Sequence, residues 1–355
     1  MQNVLLAFSG GIDSFMAALI LKNQGFHVEA VNFRLFTPLR VDENQEIEAI
    51  KEKAAALGIR LHFVNLKKEL DEKVITPFLK AYLAGLTPSP CSLCNRLVKW
   101  AHLKGYAREN GFDKIATGHY IRIKEKGESY FVHKGKDPIK DQSYFLWELN
   151  NDMLSMAMTP LGEYTKSEIR KMAEEKGFKK ITRTRESMGV CFLDGRNYRD
   201  LLKERLAIQT DNKGRILDEH MNEIGYHSGI YNYTVGQKKD LFFHDSCYNG
   251  WQVKKIIQDK NLLIAAPREH LMKEDFFIHQ LNFNGVIPGN RRISSLQLIV
   301  RGYGSNPTGN AHIEFLEEDL ARVSVDEPVW ALTPGQPAVF YEKDRLVGGG
   351  IIRKE

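Results

Sequence analysis

The chain is poor in cysteine, with 4 in 355 residues, and that excludes a disulfide-stapled scaffold. It has no apolar run near the roughly 20 residues that a membrane-spanning helix needs. The start, MQNVLLAFSGG, lacks a basic leader and a small-residue cleavage site. These absences predict a cytoplasmic protein, where a few cysteines serve metal or catalytic chemistry rather than crosslinking. Charge of either sign is also nearly lacking in excess. The net +5, from 50 basic and 45 acidic residues, permits a nucleic-acid partner without requiring one. There is no internal repeat, no low-complexity segment and no Walker G-x-x-x-x-G-K-[ST] string, so an ordinary P-loop is excluded. What remains is the composition of a soluble globular protein, 43% apolar and 27% charged, long enough for two or three domains.

Strand and helix patterns alternate over the first two hundred residues, which predicts an α/β domain with a parallel sheet covered by helices. NVLLAFS (3–9), 26–36, RLHFVNL (60–66) and DKIATG (113–118) read as strands. Segments 15–25, 44–58 and 96–111 read as helices, and Thr165 with Glu168 reads as a capping box. Beyond about residue 205 the pattern changes to short strands punctuated by glycine and proline, which predicts one or two small β-domains. The expected boundaries are 1–205, 206–275 and 276–355.

FSGGIDSF (8–15) lies between the first strand and the first helix. Its glycines let backbone approach an anion, and the helix aims free N–H groups at the same spot. Ser9 and Ser14 add hydroxyls. Asp13 is out of place beside a phosphate unless it helps hold Mg²⁺ or fixes the loop. The other chemical signal is TPSPCSLCNR (87–96), where Cys91 and Cys94 stand ahead of a basic stretch. That pair alone is open to three readings: half of a metal site, a redox pair, or a sulfur centre. Arg96, Lys99, Lys104 and Arg108 read either as a charged RNA-facing surface or as a solvated helix face.

The string S-G-G-x-D-S after a first strand matches the PP-loop ATPases, which split ATP between its α and β phosphates and transfer AMP to a substrate oxygen. The chain further resembles the bacterial tRNA 2-thiouridylase family (the MnmA type). The resemblance is carried in order by AFSGGIDS (7–14), TPSPCSLCNRLVKW (87–100), IATGHYIRI (115–123), KDQSYFLWEL (140–149), MTPLGEYTKSEIRKMAEEKGF (158–178) and ESMGVCFLDGRNYRDLL (186–202). It continues through YTVGQKKDL (233–241), PGQPAVFY (334–341) and VGGGII (347–352). It implies a PP-loop domain, a small central domain and a C-terminal β-barrel, acting on the wobble uridine of tRNA with ATP and a sulfur donor.

By position, the resemblance places ATP on Ala7, Phe8, Ser9, Gly10, Gly11, Ile12, Asp13 and Ser14, with Phe33 on the adenine side and Gly118 after the fourth strand. It places tRNA on His119, on Lys140, Asp141 and Gln142, and on Arg301 and Gln336. His119 by itself reads as a plain surface or core histidine. Where the family usually carries R-Y-R, this chain has Arg301–Gly302–Tyr303–Gly304, which puts the tRNA contact there in doubt.

The resemblance gives catalysis to Cys94, as acid/base and attacking thiolate, and to Cys191, as persulfide carrier; Asp13 joins them as a catalytic candidate. Family members usually have aspartate where this chain has Cys91. The set Cys91, Cys94 and Cys191 therefore also suits a 4Fe–4S cluster with one open iron. Structural zinc needs a fourth ligand, and Cys247, in HDSCYNG, reads as an ordinary turn residue. Cluster and persulfide relay both stay open on the sequence. The rivals are a PP-loop ligase acting on a small molecule and a non-catalytic tRNA-binding or iron–sulfur protein.

Overall fold

The computed structural model describes residues 1–39, 41–182, 189–206, 212–283, 292–302 and 306–354. Glu186, Ser187 and Met188 of the matching segment 186–202 lie outside the described residues, as do Tyr303 and Gly304 of the departing string. The chain divides into two compact units. The first holds 1–75, 90–194 and 344–347; the second holds 76–89, 195–343 and 348–355.

The first unit is the expected α/β layer structure. Its sheet runs β3 (Leu61–Asn65), β2 (His27–Arg34), β1 (Asn3–Ala7), β4 (Lys114–Ala116) and β5 (Ala157–Met158), every pair parallel. β1 reads Val-Leu-Leu without alternation because both of its faces are covered, and these three side chains are fully buried. On one face lie α1 (Ile12–Asn23), α2 (Glu43–Ala56) and α4 (Lys166–Glu175), packed through Phe15, Met16, Ile50 and Ile169; α3 (Trp100–Glu109) belongs to the segment after the cysteine loop. Thr165 and Glu168 form the capping box read from the sequence. The strand order reverses between β1 and β4, the place where open α/β sheets bind ligands.

Two local readings need correction. The helix expected at 96–111 is two pieces, preceded by a third. A short α-turn, Pro90–Cys94, leads into a π-wound segment, Asn95–Lys99, before α3 begins. The π turn adds a residue per turn and so rotates α3 about its axis; such bulges recur at functional sites. The sequence reading also passed over the hairpin Ile121–Lys126/Ser129–Lys134, whose His133 pairs with Arg345.

In the second unit a five-stranded sheet (Leu241–Phe243, Glu223–His227, Gly214–Leu217, Leu262–Ala266, Gln252–Ile257) encloses Ile216, Ile224, Val253 and Leu263. A six-strand barrel comes after it: Met272–Phe283, Leu320–Trp330, Asn310–Glu317, Arg292–Ile299, Pro337–Glu342 and the end of Arg345–Ile352. Ile278 against Ile352 and Phe283 against Gly348 close the ring. The string VGGGII is fixed by that closure. A Cβ on Gly348 would sit 2.4 Å from the Phe283 ring.

Candidate active site

The loop after β1 is built around anion-accepting backbone. Gly10 has φ +75°, and a Cβ there would meet Ile50 Cγ1 of α2 at 2.9 Å, so only glycine fits. Gly11 is the N-cap of α1 and offers no side-chain cap, which leaves the helix's first N–H groups for another acceptor. Ser9 and Ser14 face each other, with their Oγ atoms 3.2 Å apart. Gly118, after β4, backs onto the same turn, where a Cβ would lie 3.0 Å from the Asp13 carbonyl carbon and the Ser14 nitrogen. The loop and Gly118 thus meet at the sheet's switch point.

Asp13 is spoken for. Lys166 Nζ lies 2.7 and 2.8 Å from its two carboxylate oxygens, and the Tyr120 hydroxyl donates to Oδ1 at 2.7 Å. Of the two roles open to it, metal holding and loop fixing, the contacts describe the second. Phe33 lines a cavity of about 340 Å³ with Val64, Lys73, His102, Tyr106 and Glu109.

The cysteines converge electrostatically. Cys94 is buried, while Cys91 and Cys191 are partly so. Burial drives the Cys94 thiol up to about 11, against the pull of Lys99, whose backbone N–H also donates to the sulfur. Burial raises Cys91 as well, again opposed by Lys99. Lys99 itself is desolvated, which favours loss of its proton. The thiolate charges of Cys94, Cys191 and Cys91 outweigh that and hold the ammonium above its ordinary range. All four cysteines are free thiols. Among the described residues no set of three or more His, Cys, Asp or Glu side chains is arranged to hold a metal ion.

Lys99 is therefore not part of a solvated face. Its neighbours in the basic stretch are paired too: Arg96 with Glu148 at 3.1 Å, Arg108 with Asp152 at 2.8 Å, and Lys104 with Asp152. His119 accepts or donates at Nδ1 to Thr117 Oγ1 at 2.9 Å, and its ring lies 5.8 Å from that of Trp100. Burial first, and the Lys99 charge second, drop its pKa to about 3, so the imidazole is neutral.

The remaining expected RNA contacts are engaged within the fold. Asp141 accepts from Gly135 N and Ser143 Oγ, and Gln142 Oε1 accepts from Tyr120 N at 3.0 Å. Lys140 donates its backbone N–H to Asp137. In the second unit, Arg301 donates to the Trp330 and Ala331 carbonyls at 2.8 and 2.7 Å and stacks on the Trp330 ring. Gln336 Nε2 donates to the Thr87 and Pro88 carbonyls at 2.7 and 3.2 Å. Cys247 lies in an exposed turn capped by Asp245.

Sequence reasoning missed Lys99 as a sulfur-site cation, and Tyr120 and Lys166 as the holders of Asp13. The last two stand inside family-like strings, GHY and YTKSE, but their partners are 107 and 153 positions away, beyond any local signal.

Three family profiles cover the chain: a tRNA methyl transferase HUP domain over 2–195, a PRC-barrel domain over 199–267 and an aminomethyltransferase β-barrel domain over 274–352. The tRNA-specific 2-thiouridylase MnmA of Amoebophilus asiaticus is 34% identical over 365 aligned residues, covering 99% of this chain and 95% of that protein. MnmA 1 of Caldanaerobacter subterraneus subsp. tengcongensis is 36% identical, covering 100% and 98%. Among solved structures, the U34-tRNA thiolase NcsA from Methanococcus maripaludis with its 4Fe-4S cluster matches at 17% identity and TM-score 0.35, over 57% of this chain and 63% of that one. A likeness that loose carries no argument about the chemistry of this chain.

Proposed function

The chain belongs to the tRNA-specific 2-thiouridylase family, and we propose that it replaces the C2 oxygen of the tRNA wobble uridine by sulfur at the expense of ATP. The observation that carries this reading is the presence, in one compact unit, of an uncapped phosphate loop and three thiols gathered on one lysine. A small-molecule ligase has no use for the thiols, and a non-catalytic carrier has no use for the loop.

In this reading the triphosphate lies on the backbone of Ser9–Ser14, with its own phosphates carrying Mg²⁺, since Asp13 is spent on Lys166. The uridine O2 attacks the α-phosphorus and expels pyrophosphate, which leaves AMP on O2. A persulfide-carrying donor passes its terminal sulfur to the Cys191 thiolate and leaves as a thiol, and the terminal sulfur of the resulting Cys191 persulfide attacks C2 and expels AMP. The Cys94 thiolate then attacks the Cys191 sulfur, frees the thiocarbonyl of the uridine and closes a Cys94–Cys191 disulfide, which a dithiol reductant reopens. Lys99 favours the thiolate of Cys94 and of Cys91 against the burial that opposes it. Reaching both loop and thiols requires the uridine to leave the anticodon stack. Cys91 takes no part in this relay, whereas a 4Fe–4S cluster would use all three thiols.

Positive surface for tRNA is supplied in the second unit. A cavity of about 120 Å³ there is lined by Lys254, Lys255, Lys273, Arg353 and Lys354 over Ile256, Leu271 and Phe276, and of these Lys254 is ion-paired with Glu219. In place of the paired arginines of the cysteine helix, this is where we put phosphate contact.

The test is pyrophosphate release and thiouridine formation under anaerobic conditions with a sulfur source, with and without tRNA. The reading requires pyrophosphate release that depends on tRNA, and Cys94→Ser and Cys191→Ser variants that adenylate without thiolating. A protein that never releases pyrophosphate overturns it.

A further inference from the structure

α2 brings a lysine to the phosphate loop that no motif in the sequence marks. Lys53, in the last turn of α2, reaches across so that its Nζ donates to the Gly10 carbonyl at 2.7 Å. The approach is enforced by packing, since Ile50, one turn earlier on the same helix, closes against Gly10. The side chain is partly shielded from water, and that burial lowers its pKa, with only the more distant Glu46 charge opposing. No carboxylate among the described residues forms an ion pair with it. The other cations of this region are neutralised: Lys166 by Asp13, Arg34 by Glu43 and Glu46, Lys67 by Glu43. A lysine held at the loop, partly shielded from water and bonded there to a neutral carbonyl, has donors to offer an anion.

We propose that Lys53 is a catalytic residue that binds the β,γ-phosphate end of ATP and stabilises pyrophosphate as it leaves. The proposal rests on the adenylation reading above and adds the group that takes the leaving charge. Backbone N–H groups at the start of α1 hold the phosphates in place, but they bring only partial charges. When the bond between the α-phosphorus and the bridging oxygen breaks, that oxygen keeps the electron pair, and a full cation within reach answers the charge. The bond to the Gly10 carbonyl holds the ammonium at the loop in the meantime.

The alternative is that Lys53 only braces Gly10. The two roles separate by ligand. Equilibrium binding of ATP, AMP and adenosine is measured on the wild-type protein, Lys53→Met and Lys53→Arg, without tRNA. The expected result is ATP affinity lowered about tenfold in Lys53→Met, the effect of one charge-assisted hydrogen bond, with adenosine and AMP binding unchanged and Lys53→Arg recovering most of the loss. The rate of tRNA-dependent pyrophosphate release at saturating ATP falls in parallel. ATP binding unchanged in Lys53→Met, or a loss shared equally by ATP, AMP and adenosine, overturns the proposal while leaving adenylation by the wild type standing. Failure of the wild type to bind ATP overturns both.

Discussion

Lys166 sits on Asp13 with both carboxylate oxygens in hydrogen-bond range, 2.7 and 2.8 Å away, across 153 positions of sequence. Lys166 is the first residue of α4 and is buried, and its own backbone N–H is fixed to Asp137. The acidic residue of the phosphate loop is thereby a bracket, pinning the start of α1 to the start of α4.

Neutralising Asp13 takes the carboxylate from the buried Lys166 ammonium. Asp13→Asn is expected to cost about 1–3 kcal/mol, discounted because the aspartate is partly exposed, and to lower both Tm and pyrophosphate release. Asp13→Asn combined with Lys166→Met is expected to recover part of the Tm, since the buried ammonium is removed together with its carboxylate. Thermal unfolding of the two variants beside wild type checks this; an Asp13→Asn protein as stable as wild type contradicts the bracket.

Cys94 titrates high because burial opposes its thiolate, and Lys99 works against that burial. Below about 11 the thiolate fraction grows with pH, so alkylation of Cys94 by iodoacetamide is expected to rise about tenfold per pH unit from 7 to 10. Lys99→Met removes the opposing charge, raises Cys94 further and slows alkylation at every pH in that range. Lys99→Arg keeps the charge and restores most of the rate. Mass-spectrometric counting of modified Cys94 reads the outcome, and an equal rate in Lys99→Met would show that the lysine does not serve the sulfur.

The α/β sheet was legible because its strands are uninterrupted apolar runs and its helices end in Gly25 and Gly58, both with positive φ. Thr165 and Glu168 were legible because a capping box is local, a pattern of four residues. The three thiols were legible as residues but not as an arrangement. Whether Cys191 reaches Cys94, and whether the three form a metal-ligand set, depends on packing far outside any sequence window. The π turn was invisible because Asn95–Lys99 carries ordinary helix formers, and tertiary packing decides its winding. That same turn made Lys99 misleading, since in a regular helix it reads as one member of a basic face. Arg301 and Gln336 illustrate the converse case. Both positions were marked by resemblance, yet their side chains bind backbone carbonyls of their own unit, at Trp330 and Ala331 and at Thr87 and Pro88.

Lys255 and Arg353 are exposed residues lining the basic cavity of the second unit. Replacing both with glutamate is expected to weaken tRNA binding and to reduce the slope of log affinity against log salt by about 2, one for each phosphate contact removed. ATP binding without tRNA should not change. An unchanged salt slope would place the RNA elsewhere.

Cys91 is the residue on which the two sulfur mechanisms part. Burial raises its thiol, with Lys99 opposing, and it shares that lysine with Cys94 and Cys191. In a persulfide relay, sulfur passes from Cys191 to uridine and the disulfide closes on Cys94, so Cys91 neither carries nor receives sulfur. Aspartate there keeps a short side chain with an anionic oxygen beside Lys99, which suits the site's electrostatics. Cys91→Asp is therefore expected to retain thiolation within about tenfold of wild type, whereas Cys94→Ser and Cys191→Ser each abolish it. A cluster held by three thiolates cannot lose one without losing iron affinity. Anaerobic iron reconstitution followed by tRNA thiolation assay of wild type and Cys91→Asp decides the matter. An iron-free, active Cys91→Asp enzyme is the relay's outcome. Iron bound only by the wild type, with Cys91→Asp inactive, would reverse it.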